Sequence, residues 1–165
     1  MILNVLNSNM PIIEINKTNI ALIPKSNQPS KMADFRPISL CNTTYKLISK
    51  VLANRLKLIL PSIITENQSA FIPGHLISDN ILIAFEFMHY LKHKNEGKES
   101  YMSIKLDMSK AFDRVEWNFI YEVMIKMGFA KKWVDLIMNC ISSVSYSVII
   151  NGEACGNITP TRGIR

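Results

Sequence analysis

Several classes of protein are excluded by what this sequence has little of. Its 165 residues include only three cysteines and six glycines. Cys41, Cys140 and Cys155 stand far apart in no Cys-x-x-Cys or Cys/His spacing, so neither a disulfide framework nor a structural zinc site is supported. Glycine this sparse, and without a three-residue period, excludes collagen. No apolar run approaches the roughly 20 residues that span a bilayer. The opening, Met1 to Asn9, lacks the cationic start and unbroken apolar stretch of a secretory leader. The expectation is an intracellular chain of nucleus or cytoplasm, neither secreted nor membrane-bound, with reduced cysteines.

Acidic residues are scarce in one part of the chain. Residues 1–60 hold eight Lys/Arg against only Glu14 and Asp34, whereas 61–165 hold eleven of each sign, so the whole formal charge of +6 belongs to the first 60 residues. A basic segment joined to a balanced one suits a lobe that meets phosphate, whether of nucleic acid or of a membrane surface. What is plentiful is apolar residues, 48% against 19% charged, enough to bury a real core.

Proline and glycine divide the chain into compact elements. Ile20 to Ile23, stopped by Pro24, predicts a strand leading into a polar loop from Lys25 to Lys31. Ile48, Val51, Leu52, Leu56 and Ile59 have helical spacing ended by Pro61, with Lys46, Lys50 and Lys57 off the apolar stripe. After a turn at Pro73-Gly74, the positions Ile77, Ile81, Ala84, Phe85, Met88 and Leu91 predict a second helix, capped by Asp79 or Asn80. A charged loop from Lys92 to Glu99 follows. Met102, Ile104, Leu106 and Met108 then alternate with Ser103, Lys105 and Asp107, which predicts a strand with Asp107 on its polar face near the C-terminal end. Phe119 to Met127, closed by Gly128, and Trp133 to Ile141 predict two more helices. Ser145–Ile150 and Glu153–Ile158 around Asn151-Gly152 predict a hairpin with a type I′ turn. The class is α+β.

The chemistry concentrates in Ile104 to Glu116. A carboxylate at a strand end beside exposed backbone is a place for a hard-metal ligand, and Mg²⁺ is held by one or two such groups together with substrate phosphates. The alternative for Asp107 is an ordinary turn or cap residue. For Asp113 the favoured role is helix capping, because Asp113-x-x-Glu116 before an apolar-periodic helix has the form of a capping box.

From about Ile15 to Arg165 the chain resembles the N-terminal half of the reverse transcriptase domain of non-LTR, LINE-type retrotransposons, most closely the plant members. The resemblance is carried by Ile20-Ala21-Leu22-Ile23-Pro24-Lys25, by Phe35-Arg36-Pro37-Ile38-Ser39-Leu40 with Lys46 to Leu56, by Gln68-Ser69-Ala70-Phe71-Ile72-Pro73-Gly74, and by Leu106 to Trp117. These motifs stand in family order at family spacing. The resemblance implies the fingers and partial palm of a right-hand polymerase: residues 1–15 an N-terminal extension, 16–100 fingers-like, and 101–165 a partial palm.

The implied partners are an RNA template, a DNA primer and dNTPs, and the implied cofactor is Mg²⁺, two ions in the complete family site. By the same resemblance Asp107 is the first catalytic, metal-binding aspartate. Lys25 and Arg36 grip the triphosphate, and Phe112 is the aromatic that blocks the ribose 2′-OH. Lys46, Lys50, Gln68 and Gly74 line the template path, with Lys57 assigned there more loosely. His75 stands where the family more often has Arg. Without the family, solvated surface charge would account for the lysines and core packing for Phe112.

Thr161 to Arg165 opens the family's next motif, whose Gln-Gly-Asp-Pro-Leu-Ser-Pro continuation and Ala-Asp-Asp hairpin are not in the sequence. The expectation is therefore an RNA-directed DNA polymerase fragment that is inactive alone. A non-catalytic basic RNA-binding remnant is the alternative, and the aggregation-prone product of a decayed element is a third reading.

Overall fold

A computed structural model describes residues 2–8, 10–94 and 101–164. In order, its elements are α1 (Ile2–Ser8), β1 (Lys17–Pro24), β2 (Phe35–Leu40), α2 (Thr43–Lys57), α3 (Leu60–Ile63), α4 (Ile77–His93), α5 (Ala111–Arg114), α6 (Trp117–Lys126), α7 (Lys131–Ser142), β3 (Ser145–Ile150) and β4 (Glu153–Ile158), with single 3-10 turns at Ile13–Ile15 and Met32–Asp34. The α+β class is as expected. The chain divides into two compact units, Met1–Leu52 with Lys110–Arg165, and Ala53–Ser109. Residues 16–52, which the resemblance assigns to fingers, thus share a unit with most of the partial palm.

The first unit carries a four-stranded sheet in the order β2-β1-β3-β4. β1 is antiparallel to β2, with Ile20 opposite Ser39 and Leu22 opposite Pro37, and parallel to β3, with Thr18 opposite Tyr146. Phe35–Leu40, which the sequence marked only as a motif, forms the edge strand β2; Pro37 is tolerated there because an edge strand need not donate every N–H. The β3–β4 hairpin has the expected turn, with φ of 53° at Asn151 and 88° at Gly152, the pair of positive values a type I′ turn requires.

The core of this unit is helical. Val5 of α1, Ile12, Ile48 and Leu52 of α2, and Leu136 and Cys140 of α7 pack together in full burial, flanked by Ile15, Tyr45, Trp133 and Ile137. Val5 and Ile12 thus tie α1 and the stretch after it to this core. Asn16 is fully buried beside this cluster, and its Nδ2 donates to the Cys140 carbonyl and to Ser143 Oγ, each at 2.9 Å. Tyr45 Oη donates to the same carbonyl at 3.0 Å. Cys140 lies in the last turn of α7, where carbonyls have no partner within the helix. Asn16 and Tyr45 supply the missing donors and so join the start of β1, α2 and α7. Burial raises the Cys140 thiol to about 11, so it stays protonated and inert at neutral pH.

Elsewhere the helix expectations hold with local changes. α2 stops at Lys57, and Pro61 does not end it but sits in the first turn of α3, where its missing N–H matters little. Asp79 caps α4 from its third position, its Oδ2 accepting the Leu76 N–H at 3.4 Å. Lys92 and His93 finish α4 instead of opening a loop; residues 95–99 of that expected loop lie outside the described residues. Gly128 takes φ of 83° just after α6, as predicted.

Two expectations fail. Residues 101–108 form no strand and are exposed, Leu106 by 91%. Alternation predicts a strand only if a neighbour completes the ladder, and the four strands among the described residues pair with one another. Asp113 does not cap the following helix, because α6 begins at Trp117 behind Glu116, with no side-chain cap bond. Asp113 lies instead inside the short helix α5. Among the described residues no helix is long and apolar enough to cross a membrane.

The Asn16 bonds generate a prediction. Asn16→Ala leaves the Cys140 carbonyl with one donor fewer inside the core and should destabilise the chain by about 1–3 kcal/mol, read as a lower urea midpoint at unchanged slope. A midpoint equal to wild type would contradict the account.

Candidate functional site

Lys25 and Arg36 stand at the loop end of the β1–β2 pair. Ile23 lies opposite Arg36 and Pro24 opposite Phe35, so Lys25 directly follows the ladder. Its N–H donates to the Asp34 carbonyl and its Nζ to the Ala33 carbonyl, both at 2.7 Å. The loop between them is held by a residue that sequence reasoning passed over. Asp34 Oδ2 accepts the N–H groups of Ser30 and Lys31, each at 2.9 Å. Those two backbone bonds hold the Asp34 carboxyl below its usual value of 3.8, with the Lys25 charge a lesser cause. The signal available beforehand was an Asp between two turn-prone stretches, a residue type that gathers loop N–H groups.

Strand alternation places Arg36 on the sheet face opposite Pro37 and Ser39. Pro37 and Ser39, with Ile20 and Tyr146, instead floor a cavity of about 690 Å³ whose walls include Lys46 and Ser49 of α2, Asp113 of α5, and Arg162. Lys46 is thereby brought to Asp113 and Arg162, while Lys25 and Arg36 stand apart from them. Lys50 is exposed on α2.

Phe112 is 59% exposed, so core packing does not explain it. Its helix, α5, follows Lys110 in the left-handed region at φ 52°.

The remaining expected residues belong to the second unit. Asp107 is exposed in the irregular stretch after Tyr101. Ile72-Pro73-Gly74-His75 forms a turn closed by the His75 N–H to the Ile72 carbonyl at 3.3 Å, with Gly74 at φ 84°; this is the type II pattern, in which only glycine sits easily at the third position. His75 Nδ1 lies 2.9 Å from the Gln68 carbonyl, an acceptor, so the ring donates there and closes the loop on itself. The Gln68 amide donates to the Ala70 carbonyl at 3.3 Å. Turn formation thus accounts for Pro73 and Gly74. Among the described residues no three His, Cys, Asp or Glu side chains gather as a metal site.

Residues 23–165 match the family described as reverse transcriptase (RNA-dependent DNA polymerase). The chain is 29% identical over 146 residues to the transposon TX1 uncharacterized 149 kDa protein of Xenopus laevis, covering 88% of this chain and 11% of that protein. It is 28% identical to the retrovirus-related Pol polyprotein from the type-2 retrotransposable element R2DM of Drosophila melanogaster, over 92% of this chain and 14% of the relative. It is 24% identical to the corresponding polyprotein from the type-1 retrotransposable element R2 of Popillia japonica, over 87% and 20%. The chain spans between a tenth and a fifth of the length of these relatives.

The Asp34 clamp has a pH signature. A carboxylate held below 3.8 in the folded chain orders its loop above that pH, and the ordering is lost as pH falls through the depressed value. In an NMR titration the Ser30 and Lys31 amide protons should shift together with a midpoint below 3.8. A midpoint at or above that value, or no shared transition, would refute the clamp.

Proposed function

Because the chain belongs to the reverse transcriptase (RNA-dependent DNA polymerase) family, we propose that it supplies the triphosphate-gripping fingers and part of the palm of an RNA-directed DNA polymerase. The reaction would join a dNTP to a primer 3′-OH on an RNA template. The observation that carries this reading is the family match from residue 23 onward, which includes Lys25, Arg36, Asp107 and Phe112 in motif order. The division into fingers at 16–100 and palm at 101–165 is proposed on the same motifs. The finer tie to plant elements rests on motif wording alone, since the relatives named above are animal.

Each residue has a physical reason for its proposed task. A guanidinium fork and an ammonium neutralise phosphate oxygens whose charge grows during transfer. Arg36 is exposed on its strand, and Lys25 is anchored through its backbone at the start of an ordered loop. Phe112 offers a half-exposed ring, which is what a steric gate against a 2′-OH requires. Lys46, Lys50 and Gln68 are proposed to meet the template, whose contact should weaken with salt.

Mg²⁺ chemistry belongs to the family reading: two ions would activate the attacking hydroxyl and stabilise the departing pyrophosphate. The donors present do not by themselves fit that pair. Asp107 is one hard carboxylate, suited to a single Mg²⁺ shared with substrate phosphates, and the described residues assemble no cluster around it. We therefore assign the 165 residues binding and positioning, with Asp107 as one carboxylate of a metal site that needs further donors.

In a polymerase-competent polypeptide carrying these residues, Lys25→Ala and Arg36→Ala should each lower kcat/KM for dNTP by about 10- to 100-fold, the range of a lost charge-assisted phosphate contact. Single-nucleotide insertion kinetics measure this. Wild-type kcat/KM in both variants would remove the fingers assignment.

A further inference from the structure

The segment Arg162–Ile164 is bonded at four places to the turn that bears Phe112. Ile164 N–H donates to the Phe112 carbonyl at 2.9 Å and Gly163 N–H to the Val115 carbonyl at 2.8 Å. The indole Nε1 of Trp117 donates to the Gly163 carbonyl at 2.7 Å. Arg162 pairs with Glu116 at 3.3 Å across an exposed gap. A four-residue helix such as α5 leaves its own carbonyls unpaired, and this strap supplies donors for two of the carbonyls in and just after it.

Gly163 also has no room to vary. It sits at φ 89°, and a Cβ there would stand 3.1 Å from the Asp113 carbonyl oxygen and 3.2 Å from its Cα. Those neighbours are backbone, so they yield only if the turn itself moves.

We propose that Gly163 and Trp117 are positioning residues for Phe112, and that the strap thereby sets how strictly the site discriminates deoxyribose from ribose. This inference rests on the reading of Phe112 as the sugar gate. The strap grips the Phe112 carbonyl while the residue stays 59% exposed, so it holds the backbone from which the ring projects. Loss of either anchor lets the turn shift, and a gate displaced by a fraction of an ångström rejects a hydroxyl less well.

The test is the ratio of kcat/KM for dNTP to that for rNTP, measured by single-nucleotide insertion in a polymerase-competent polypeptide containing these residues. Phe112→Val is the benchmark. Trp117→Phe keeps the packing of an aromatic ring and removes the N–H donor; Gly163→Ala adds the obstructed Cβ. Asn139→Ala removes the bond from Asn139 Nδ2 to the Met10 carbonyl, a hydrogen bond of the same unit that involves neither the turn nor the strap, and controls for stability. The expected result is a fall in the ratio for Phe112→Val, a fall of about threefold to tenfold for Trp117→Phe and Gly163→Ala, the worth of one hydrogen bond, and none for Asn139→Ala. An unchanged ratio in Phe112→Val overturns the gate reading and the inference with it. A lowered ratio in Phe112→Val, with wild-type ratios in both strap variants, overturns the inference alone. If Gly163→Ala fails to fold, Trp117→Phe decides. Should Trp117→Phe abolish insertion, hydrogen exchange of the 111–115 amides decides instead: faster exchange there than in α7 upholds the strap, and unchanged exchange overturns it.

Discussion

The carbonyl of Cys140, at the end of α7, accepts from Asn16 and from Tyr45, and the arrangement of the first unit depends on that meeting. Asn16 stands immediately before β1, and Tyr45 lies in the first turns of α2. One acceptor in the core therefore fixes where the central strand starts, how α2 meets α7, and where α7 gives way to β3. A buried carbonyl left bare is expensive, so sliding any of these elements is opposed. The Ser145 N–H then donates to the Asn16 backbone carbonyl at 3.4 Å, which begins the parallel pairing of β1 with β3. Everything proposed about Lys25, Arg36 and Phe112 rests on strands and turns held at that point.

Two further constraints act at the periphery, and both use a side chain or loop to satisfy backbone that secondary structure leaves open. Asp34 collects the N–H groups of the β1–β2 loop. The Arg162–Ile164 segment takes up carbonyls in and after α5. These devices order exposed stretches without burying them. That suits the proposed contact with a charged ligand, since desolvating a buried lysine or arginine can cost more than its pairing returns.

Much of this was legible in the sequence wherever the signal was local. Helical spacing gave α2 and α4, Asn151-Gly152 gave the hairpin, and Gly128 marked the end of α6, because periodicity and turn chemistry act within a few residues. What escaped was non-local. Asn16 reads as an ordinary polar residue until Cys140, 124 positions away, is brought beside it. Met102 to Met108 alternates like a strand, yet alternation describes a face and says nothing of whether a neighbouring strand exists. Asp113 fits a capping-box spacing, but it lies inside α5, and α6 starts only after Glu116. At the site, the motifs gave Lys25, Arg36 and Phe112, whose exposure suits ligand contact; Asp34, Trp117 and Gly163 needed the structure, because their work is done on backbone atoms of other residues.

The basic excess of the first 60 residues and the family match over residues 23–165 support the proposal that these residues hold nucleotide and template for a polymerase, with Asp107 as its first metal carboxylate. Primer extension on an RNA template, by a polymerase-competent polypeptide that includes this chain and with Mg²⁺ and dNTPs supplied, tests it most directly. The account predicts that Asp107→Ala abolishes extension while primer–template binding persists. Extension at the wild-type rate in that variant would contradict it.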